Sequence, residues 1–175
     1  MTTRIAINGF GRMGRLALRA AWDWPGLEFV HINEIGGDAA TAAHLLQFDS
    51  IHGTWDVPVS SEEDALLVGG KRLSYSSNAK LEDTPWGDLG IDLAVECTGR
   101  FKSSEVLRAY LESGVRKVVV SAPIKDGTLN VVVGVNDHLY EAQTHDIVTA
   151  ASCTTNCIAP VISVIHEEFG IRHGS

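Results

Sequence analysis

The segment RIAINGFGRMG, residues 4–14, decides the fold. Its first five residues form a short, largely apolar run that predicts a strand, and this run stops at Gly9. Gly9, Gly11 and Gly14 then have the spacing GxGxxG, and apolar residues recur at helical intervals as far as Trp22. A strand, a glycine-rich turn and a helix in this order predict the first unit of a dinucleotide-binding α/β domain.

Each part of this turn has a physical role in holding a diphosphate. Gly9 permits the tight turn, Gly11 lets the pyrophosphate approach the backbone, and Gly14 lets the helix pack on the sheet. The helix N-terminus offers free N–H groups to the anion. Glu34 lies 25 residues after Gly9, close to the acidic residue expected after about 20 residues to bind the adenosine ribose. A carboxylate there repels a 2′-phosphate and favours NAD over NADP; the alternative is a phosphate-free turn with Glu34 as a solvated charge.

The rest of the chain alternates strands and helices. A strand is predicted at LEFVHIN, residues 27–33, followed by a helix that Asp38 caps and that runs to Leu46. Gly69 and Gly70 predict a hairpin turn. A helix starting after Ser103 or Ser104 and ending at Gly114 is predicted, with strands at residues 93–98, 117–121, 130–135 and 146–151. The pattern predicts a doubly wound, mostly parallel Rossmann-type sheet with flanking helices.

Charge and hydropathy exclude several functional classes. The 175 residues carry 14 basic and 22 acidic side chains, a net charge of −8, which disfavours nucleic acid as a partner. No apolar run approaches the roughly 18 residues of a membrane span. The opening MTTRIAINGF enters a strand without a charged and apolar leader, so we expect a cytoplasmic protein.

The three cysteines do not form a disulfide or metal pattern. Cys153 and Cys157 are not followed by a second Cys/His pair, so no metal site is predicted. Cys153 follows a predicted strand and precedes a predicted helix, and a helix N-terminus stabilises a thiolate. Such a thiolate can attack an aldehyde and, after hydride loss to a nicotinamide, leave a thioester. The alternative is a buried small residue; we interpret Cys157 as structural and Cys97 as a core residue.

Several motifs in order resemble the glyceraldehyde-3-phosphate dehydrogenase family. They are INGFGR at residues 7–12, HLLQFDSIHG at 44–53, ECTGRF at 96–101, SAP at 121–123, GVN at 134–136 and ASCTTNCIAP at 151–160. The last is the most specific, and the resemblance covers essentially the whole chain.

The resemblance implies roles for individual residues. Arg12 and Met13 would contact the cofactor pyrophosphate through their backbone, and Thr98 and Ser121 would line the nicotinamide side. Cys153 would be the acylated nucleophile, with substrate phosphate or the attacking anion held by Ser152 and Thr154. Glu34 stands where the family has Asp. Lys80 is the candidate on the adenine side, where the family's Arg has no clear counterpart.

A narrower resemblance concerns the acyl acceptor. AAWDWPGLEFVHINE, GVNDHLY and IRHGS resemble the family branch that accompanies arsenic-resistance permeases. That branch implies arsenate in place of phosphate, although no residue distinguishes these two similar oxyanions. Two other hypotheses about the function remain: an erythrose-4-phosphate dehydrogenase, and a non-catalytic NAD-binding or thiol-sensing module.

A catalytic thiol also requires a base, usually histidine. His166 lies 13 residues beyond Cys153 on the same predicted helix, about 20 Å away, and the other six histidines have no better placement. In the family the catalytic histidine lies a few residues beyond the position of Ser175. We therefore expect an NAD-binding domain at residues 1–152, the start of a catalytic domain at 153–175, and a fragment that binds NAD but is inactive. The family resemblance implies a homotetramer for the full-length protein.

Overall fold

Strand β1 (Thr3–Asn8) lies at the centre of a sheet of nine strands, in a computed structural model that describes residues 2–174. The other strands of this sheet are β2 (Leu27–Asn33), β5 (Val59–Glu62), β6 (Ala65–Val68), β7 (Lys71–Ser76), β8 (Leu93–Glu96), β9 (Lys117–Val120), β10 (Leu129–Asn130) and β11 (Ile147–Thr149). A separate two-stranded ribbon consists of β3 (Phe48–Asp49) and β4 (Gly53–Thr54). The helices are α1 (Arg12–Ala21), α2 (Ala39–Gln47), α3 (Ser104–Glu112) and α4 (Cys153–Phe169), with two 3-10 turns at Leu81–Asp83 and Asp137–Leu139.

The strand order is β10-β11-β9-β8-β1-β2-β7-β6-β5. All pairs from β10 to β7 are parallel, and only β6 and β5 run antiparallel to their neighbours. The prediction of a mostly parallel, doubly wound sheet is confirmed. The strand at residues 27–33, the cap at Asp38 and the hairpin at Gly69–Gly70 are also confirmed.

Apolar side chains cover both faces of the sheet. One cluster packs α1 and α2 on the sheet and includes Leu18, Ile32 and Leu46. The other packs α3 and the segment around Trp86 on the sheet and includes Leu107 and Tyr110. Burial of these side chains removes apolar area from water at roughly 25 cal/mol per Å² and stabilises the layered arrangement. The core therefore holds the carboxyl ends of the parallel strands at one common edge.

Four predicted strands end earlier than expected. Those predicted at 117–121 and 146–151 end at Val120 and Thr149, and hydrogen bonds explain the early end of the other two. The strand predicted at residues 130–135 is wrong beyond Asn130, because Asn136 Oδ1 accepts the N–H of Val132 and a turn at Gly134 (φ +82°) leads the chain away. Val133 is left 81% exposed. The strand predicted at 93–98 ends at Glu96, whose carboxylate accepts the N–H of Thr98 and turns the chain out of the sheet.

Helix α4 differs from the other helices because none of its 17 residues is buried. Its apolar residues are instead open on the surface: Ile158, Val161, Ile162, Val164, Ile165 and Phe169. No helix within residues 2–174 combines the length and the apolarity that crossing a membrane requires.

Candidate functional site

The carboxyl edge of the parallel strands brings the glycine turn and the cysteine to the same side of the molecule. Asn8 at the end of β1 pairs with Glu96 of β8, Glu96 with Val120 of β9, and Val120 with Thr149 of β11. The glycine turn follows Asn8, and Cys153 follows Thr149 at the head of α4. Three strand spacings of about 4.8 Å separate the two strands, a distance of about 14 Å. A dinucleotide lying along this edge can therefore span from the turn to the thiol.

The glycine turn is shaped for close approach of an anion. Gly9 has φ +89°, and a Cβ there would lie 2.5 Å from the N of Thr98. A Cβ on Gly14 would lie 2.3 Å from the Gly9 carbonyl oxygen, so α1 packs directly on the turn. A Cβ on Gly11 would instead meet nothing within 4 Å. Gly11 leads into α1 without a side-chain cap, and the first turn carries no acidic residue, so its N–H groups can receive a pyrophosphate.

Glu34 connects the second strand to the glycine turn. Its Oε2 accepts the N–H of Phe10 at 2.5 Å, and its Oε1 accepts the N–H of Gly36 at 2.6 Å. Each carboxylate oxygen keeps a further lone pair for a ribose hydroxyl. Because both amides hold the carboxylate in place, its negative charge stays at the point where a 2′-phosphate would have to enter. The geometry fits an adenosine ribose with free hydroxyls.

A cleft of about 180 Å³ joins these groups. Four of the predicted cofactor residues line it: Gly9, Gly11, Glu34 and Thr98. Lys80 also lines it. Cys97 lines it too, directly after β8 rather than within the core; burial raises the pKa of its thiol to about 11. Ser121 directly follows β9, and its side chain acts against the raised pKa of the Cys97 thiol.

The turn before α4 places Cys153 at the helix N-terminus. Ala151 has φ +55°, a conformation that costs a non-glycine residue about 1 kcal/mol or more. It is held by Asn156, whose Nδ2 donates to the Ala150 carbonyl at 2.7 Å and to the Ser152 carbonyl at 2.9 Å. Ser152 caps the helix by accepting the N–H of Thr155 at 3.0 Å. Cys153 is exposed at the point where helix N–H groups face the solvent.

Three hydroxyl groups gather beside this thiol. Ser152 Oγ lies 3.0 Å from Thr154 Oγ1 and 2.7 Å from Thr155 Oγ1. Hydroxyl groups beside a helix N-terminus can donate together to an oxyanion. The predicted pair of Ser152 and Thr154 is therefore brought together, and Thr155 extends it.

Two protein-family models match this chain. Residues 3–104 match the model described as "Glyceraldehyde 3-phosphate dehydrogenase, NAD binding domain", and residues 152–175 match the family's C-terminal domain. The chain belongs to the glyceraldehyde 3-phosphate dehydrogenase family. Its resemblance to this family and the prediction of NAD as the cofactor are thereby confirmed.

Named relatives agree with this assignment. The chain is 59% identical over 174 residues to glyceraldehyde-3-phosphate dehydrogenase 3 of Nostoc sp.. It is 48% identical over 177 residues to glyceraldehyde-3-phosphate dehydrogenase of Pseudomonas aeruginosa, and 44% over 174 residues to that of Geobacillus stearothermophilus. Each match covers 99% of this chain and 52% of the relative. The chain therefore spans about half the length of the curated relatives it matches.

Several residues of the cleft were not predicted from the sequence. Asn8 and Asn33 end neighbouring strands, and Asn33 Nδ2 donates to Asn8 Oδ1 at 2.7 Å. Asn78 lines the same cleft and donates its N–H to Asn33 Oδ1 at 2.8 Å. The sequence did offer one indication of these residues, because each of the first two predicted strands ends in an asparagine. Thr155 and Asn156, inside the most specific motif, were also missed.

The histidines that the structure describes, within residues 2–174, make no hydrogen bond to the Cys153 thiol. His31 is buried between Ser74 and Ser76, and burial lowers its pKa to about 4. His166 lies in α4, and its Nδ1 accepts the N–H of Ile171. Among the described residues, no group of three or more His, Cys, Asp or Glu side chains is arranged to hold a metal ion.

Proposed function

We propose that this chain is the NAD-binding half of an NAD-dependent dehydrogenase that oxidises glyceraldehyde 3-phosphate through a thioester on Cys153. The observation that carries the proposal is the common sheet edge, which aligns Glu34, the glycine turn, Thr98 and Cys153 in the order in which an extended dinucleotide would meet them. The printed names of the relatives support the substrate.

The proposal includes two domains, at residues 1–152 and 153–175. The match to the family's C-terminal domain begins at residue 152, next to this boundary. The open apolar side chains of α4 also support it, because a helix of this kind normally packs against another element.

The proposed chemistry starts from the thiolate. The sulfur of the Cys153 thiolate, at the N-terminus of α4, attacks the aldehyde carbon, and the former carbonyl oxygen takes up a proton, which gives a hemithioacetal. NAD, when bound, would accept the hydride that leaves this carbon, and the hemithioacetal would become a thioester. A base must take the hydroxyl proton as the hydride leaves, and no histidine among residues 2–174 hydrogen-bonds to Cys153. An oxygen of the acceptor anion then attacks the thioester carbonyl, the C–S bond breaks, and the thiolate is restored.

The hydroxyl cluster of Ser152, Thr154 and Thr155 suits either phosphate or arsenate as the acceptor anion. Both are tetrahedral oxyanions with similar hydrogen-bonding groups. We include arsenate on the basis of the sequence resemblance to the arsenic-resistance branch. The product would be an acyl phosphate or an acyl arsenate.

The chain alone should bind NAD weakly and show little dehydrogenase activity, because no described histidine contacts Cys153. The test measures NADH formation from glyceraldehyde 3-phosphate with phosphate or arsenate. It compares the chain alone with the chain co-expressed with the C-terminal half of the Nostoc relative, using Cys153→Ser as the control. Activity that appears only with the added half and vanishes in C153S is expected. Absence of activity in the complemented protein, or a preference for erythrose 4-phosphate, would contradict the proposal.

A further inference from the structure

Glu96 is a buried carboxylate that the proposed chemistry does not use. It ends β8, is 1% exposed, and accepts hydrogen bonds from Asn8 and Thr98, two residues that line the cleft. No Lys, Arg or His of residues 2–174 forms an ion pair with it. A buried charge without a counter-ion is costly, so its surroundings must compensate for the lost water.

Four hydrogen-bond donors provide this compensation. Oε1 accepts from the N–H of Thr98 at 2.7 Å and from the Thr98 hydroxyl. Oε2 accepts from Asn8 Nδ2 at 2.9 Å and from the Tyr110 hydroxyl at 2.7 Å. Burial raises the pKa of Glu96, and the hydrogen bonds from Thr98, Tyr110 and Asn8 act against this rise. Both oxygens are fully used as acceptors, which is the arrangement of the ionised form.

Backbone groups determine which way these donors face. The N–H of Asn78 donates to Asn33 Oδ1, and Asn33 Nδ2 donates to the Asn78 carbonyl at 2.9 Å, so the Asn33 amide has one orientation. Asn33 Nδ2 also donates to Asn8 Oδ1 at 2.7 Å, which leaves Asn8 Nδ2 to face Glu96. The backbone N–H of Thr98 can only donate. The donor role of two of the four groups, Asn8 Nδ2 and the Thr98 N–H, therefore does not depend on where any hydroxyl proton is placed.

The position of Glu96 along the sheet edge places its charge on the side of the glycine turn where we expect the nicotinamide. Glu34 marks the ribose at the end of β2, and the glycine turn marks the pyrophosphate at the end of β1. The nicotinamide must continue in the opposite direction from β2, toward β8 and Cys153. Thr98 lies on this route and donates its N–H to the Glu96 carboxylate, and Gly9 packs against the Thr98 backbone.

We propose that Glu96 is a positioning residue of the cofactor site: its carboxylate anchors Thr98 and Asn8 and places a negative charge beneath the nicotinamide end of the cleft. The proposal rests on the proposed function, because it requires that NAD occupies the cleft. The nicotinamide ring of NAD⁺ is cationic, whereas that of NADH is neutral. The charge of Glu96 should therefore favour the oxidised cofactor, by about tenfold for a partly screened pair of opposite charges.

The test measures the binding of NAD⁺, NADH and ADP-ribose to the 175-residue chain by calorimetry. The wild type should bind NAD⁺ about tenfold tighter than NADH. Glu96→Gln, which keeps the shape and removes the charge, should weaken NAD⁺ binding about tenfold while ADP-ribose binding, the control for an intact fold, changes less than about twofold. Tyr110→Phe removes one donor and keeps the charge, so it should retain the preference for NAD⁺. A purely structural role would lower the affinity for all three ligands together.

Each outcome separates this inference from the proposed function. ADP-ribose binding with equal affinities for NAD⁺ and NADH in the wild type would overturn only the role of Glu96. A ratio of NAD⁺ to NADH affinity that is unchanged in E96Q would also overturn only the role of Glu96. Should E96Q fail to fold, the wild-type ratio and its retention in Y110F decide the question. A wild type that binds none of the three ligands would overturn the proposed function together with this inference.

Discussion

The carboxylate of Glu34 accepts a hydrogen bond of 2.5 Å from the N–H of Phe10, 24 residues earlier in the chain. This contact ties the end of β2 to the turn that follows β1, so one carboxylate lies beside the positions that we propose for the diphosphate and the ribose. We therefore expect the shape of the glycine turn and the choice of cofactor to depend on the same side chain.

Replacing Glu34 by Ala should weaken NAD⁺ binding about tenfold, because a hydrogen bond to a charged group is lost and the turn is released. The discrimination against NADP⁺ should fall at the same time. Glu34→Gln is the matched variant: it keeps the length of the side chain and loses the charge, so it should relax cofactor choice more than it weakens NAD⁺ binding. Calorimetric titration of both cofactors measures the effect. Wild-type affinity and selectivity in E34A would show that Glu34 is only a solvated surface charge.

Gly9 and Gly11 form a matched pair with opposite expected effects. Gly9→Ala should lower the free energy of unfolding by about 3 kcal/mol, because its Cβ would meet the Thr98 backbone at a φ of +89°. Gly11→Ala should leave stability within about 0.5 kcal/mol, since its Cβ meets nothing within 4 Å. NAD⁺ binding should nevertheless be strongly reduced in G11A, where the methyl group takes the place of the diphosphate. Denaturant unfolding and calorimetry distinguish the two, and tight NAD⁺ binding by G11A would contradict the assigned site.

Buried His31 should make the fold sensitive to acid. Its pKa is lowered from 6.5 to about 4 by burial, so the unfolded chain takes up its proton at higher pH than the folded chain. This contribution to the free energy of unfolding is complete above about pH 6.5 and is lost as pH falls toward about 4, a change of about 3 kcal/mol.

The variant His31→Gln should lack this part of the pH dependence, because glutamine does not titrate. The exposed His44 provides the control, and His44→Gln should keep the wild-type profile. Unfolding curves collected across this pH range measure the effect. Identical profiles for H31Q and the wild type would exclude His31 as the source.

The three cysteines should differ in their rates of alkylation at neutral pH. Cys153 should react first, since it is exposed at the N-terminus of α4, and Cys157 should follow because it lies one turn further along. Cys97 should be slowest, since burial raises its pKa to about 11. Mass spectrometry of the peptides gives the order, and Cys153→Ser should abolish the fast phase. A fast phase that persists in C153S would exclude an activated thiol at this position.

Local patterns predicted those parts of the fold that local chemistry determines. The strand LEFVHIN has the bounds of β2, and the Asp38 cap and the Gly69–Gly70 turn each depend on residues close in sequence. The run NVVVGV predicted a longer strand because its valines match a buried strand. A contact with Asn136 instead ends the strand at Asn130. Apolar composition alone does not show where a turn intervenes.

The candidate site was predicted only in part for a related reason. The glycine turn, Glu34 and Cys153 stand next to strand and helix signals that the sequence displays. The hydrogen bonds of Asn8 to Glu96 and Tyr110 join residues 88 and 102 positions away. Such pairs meet only after the parallel strands are in register, so no local pattern identifies them.

If the glycine turn and Cys153 belong to one cofactor site, bound NAD⁺ must change the alkylation rate of Cys153. Saturating NAD⁺ should slow this rate several-fold, while ADP-ribose, which fills the same turn without a nicotinamide, should change it little. G11A should show no effect of NAD⁺. An alkylation rate that stays constant while NAD⁺ demonstrably binds would place the cofactor and the thiol in separate sites and contradict this account.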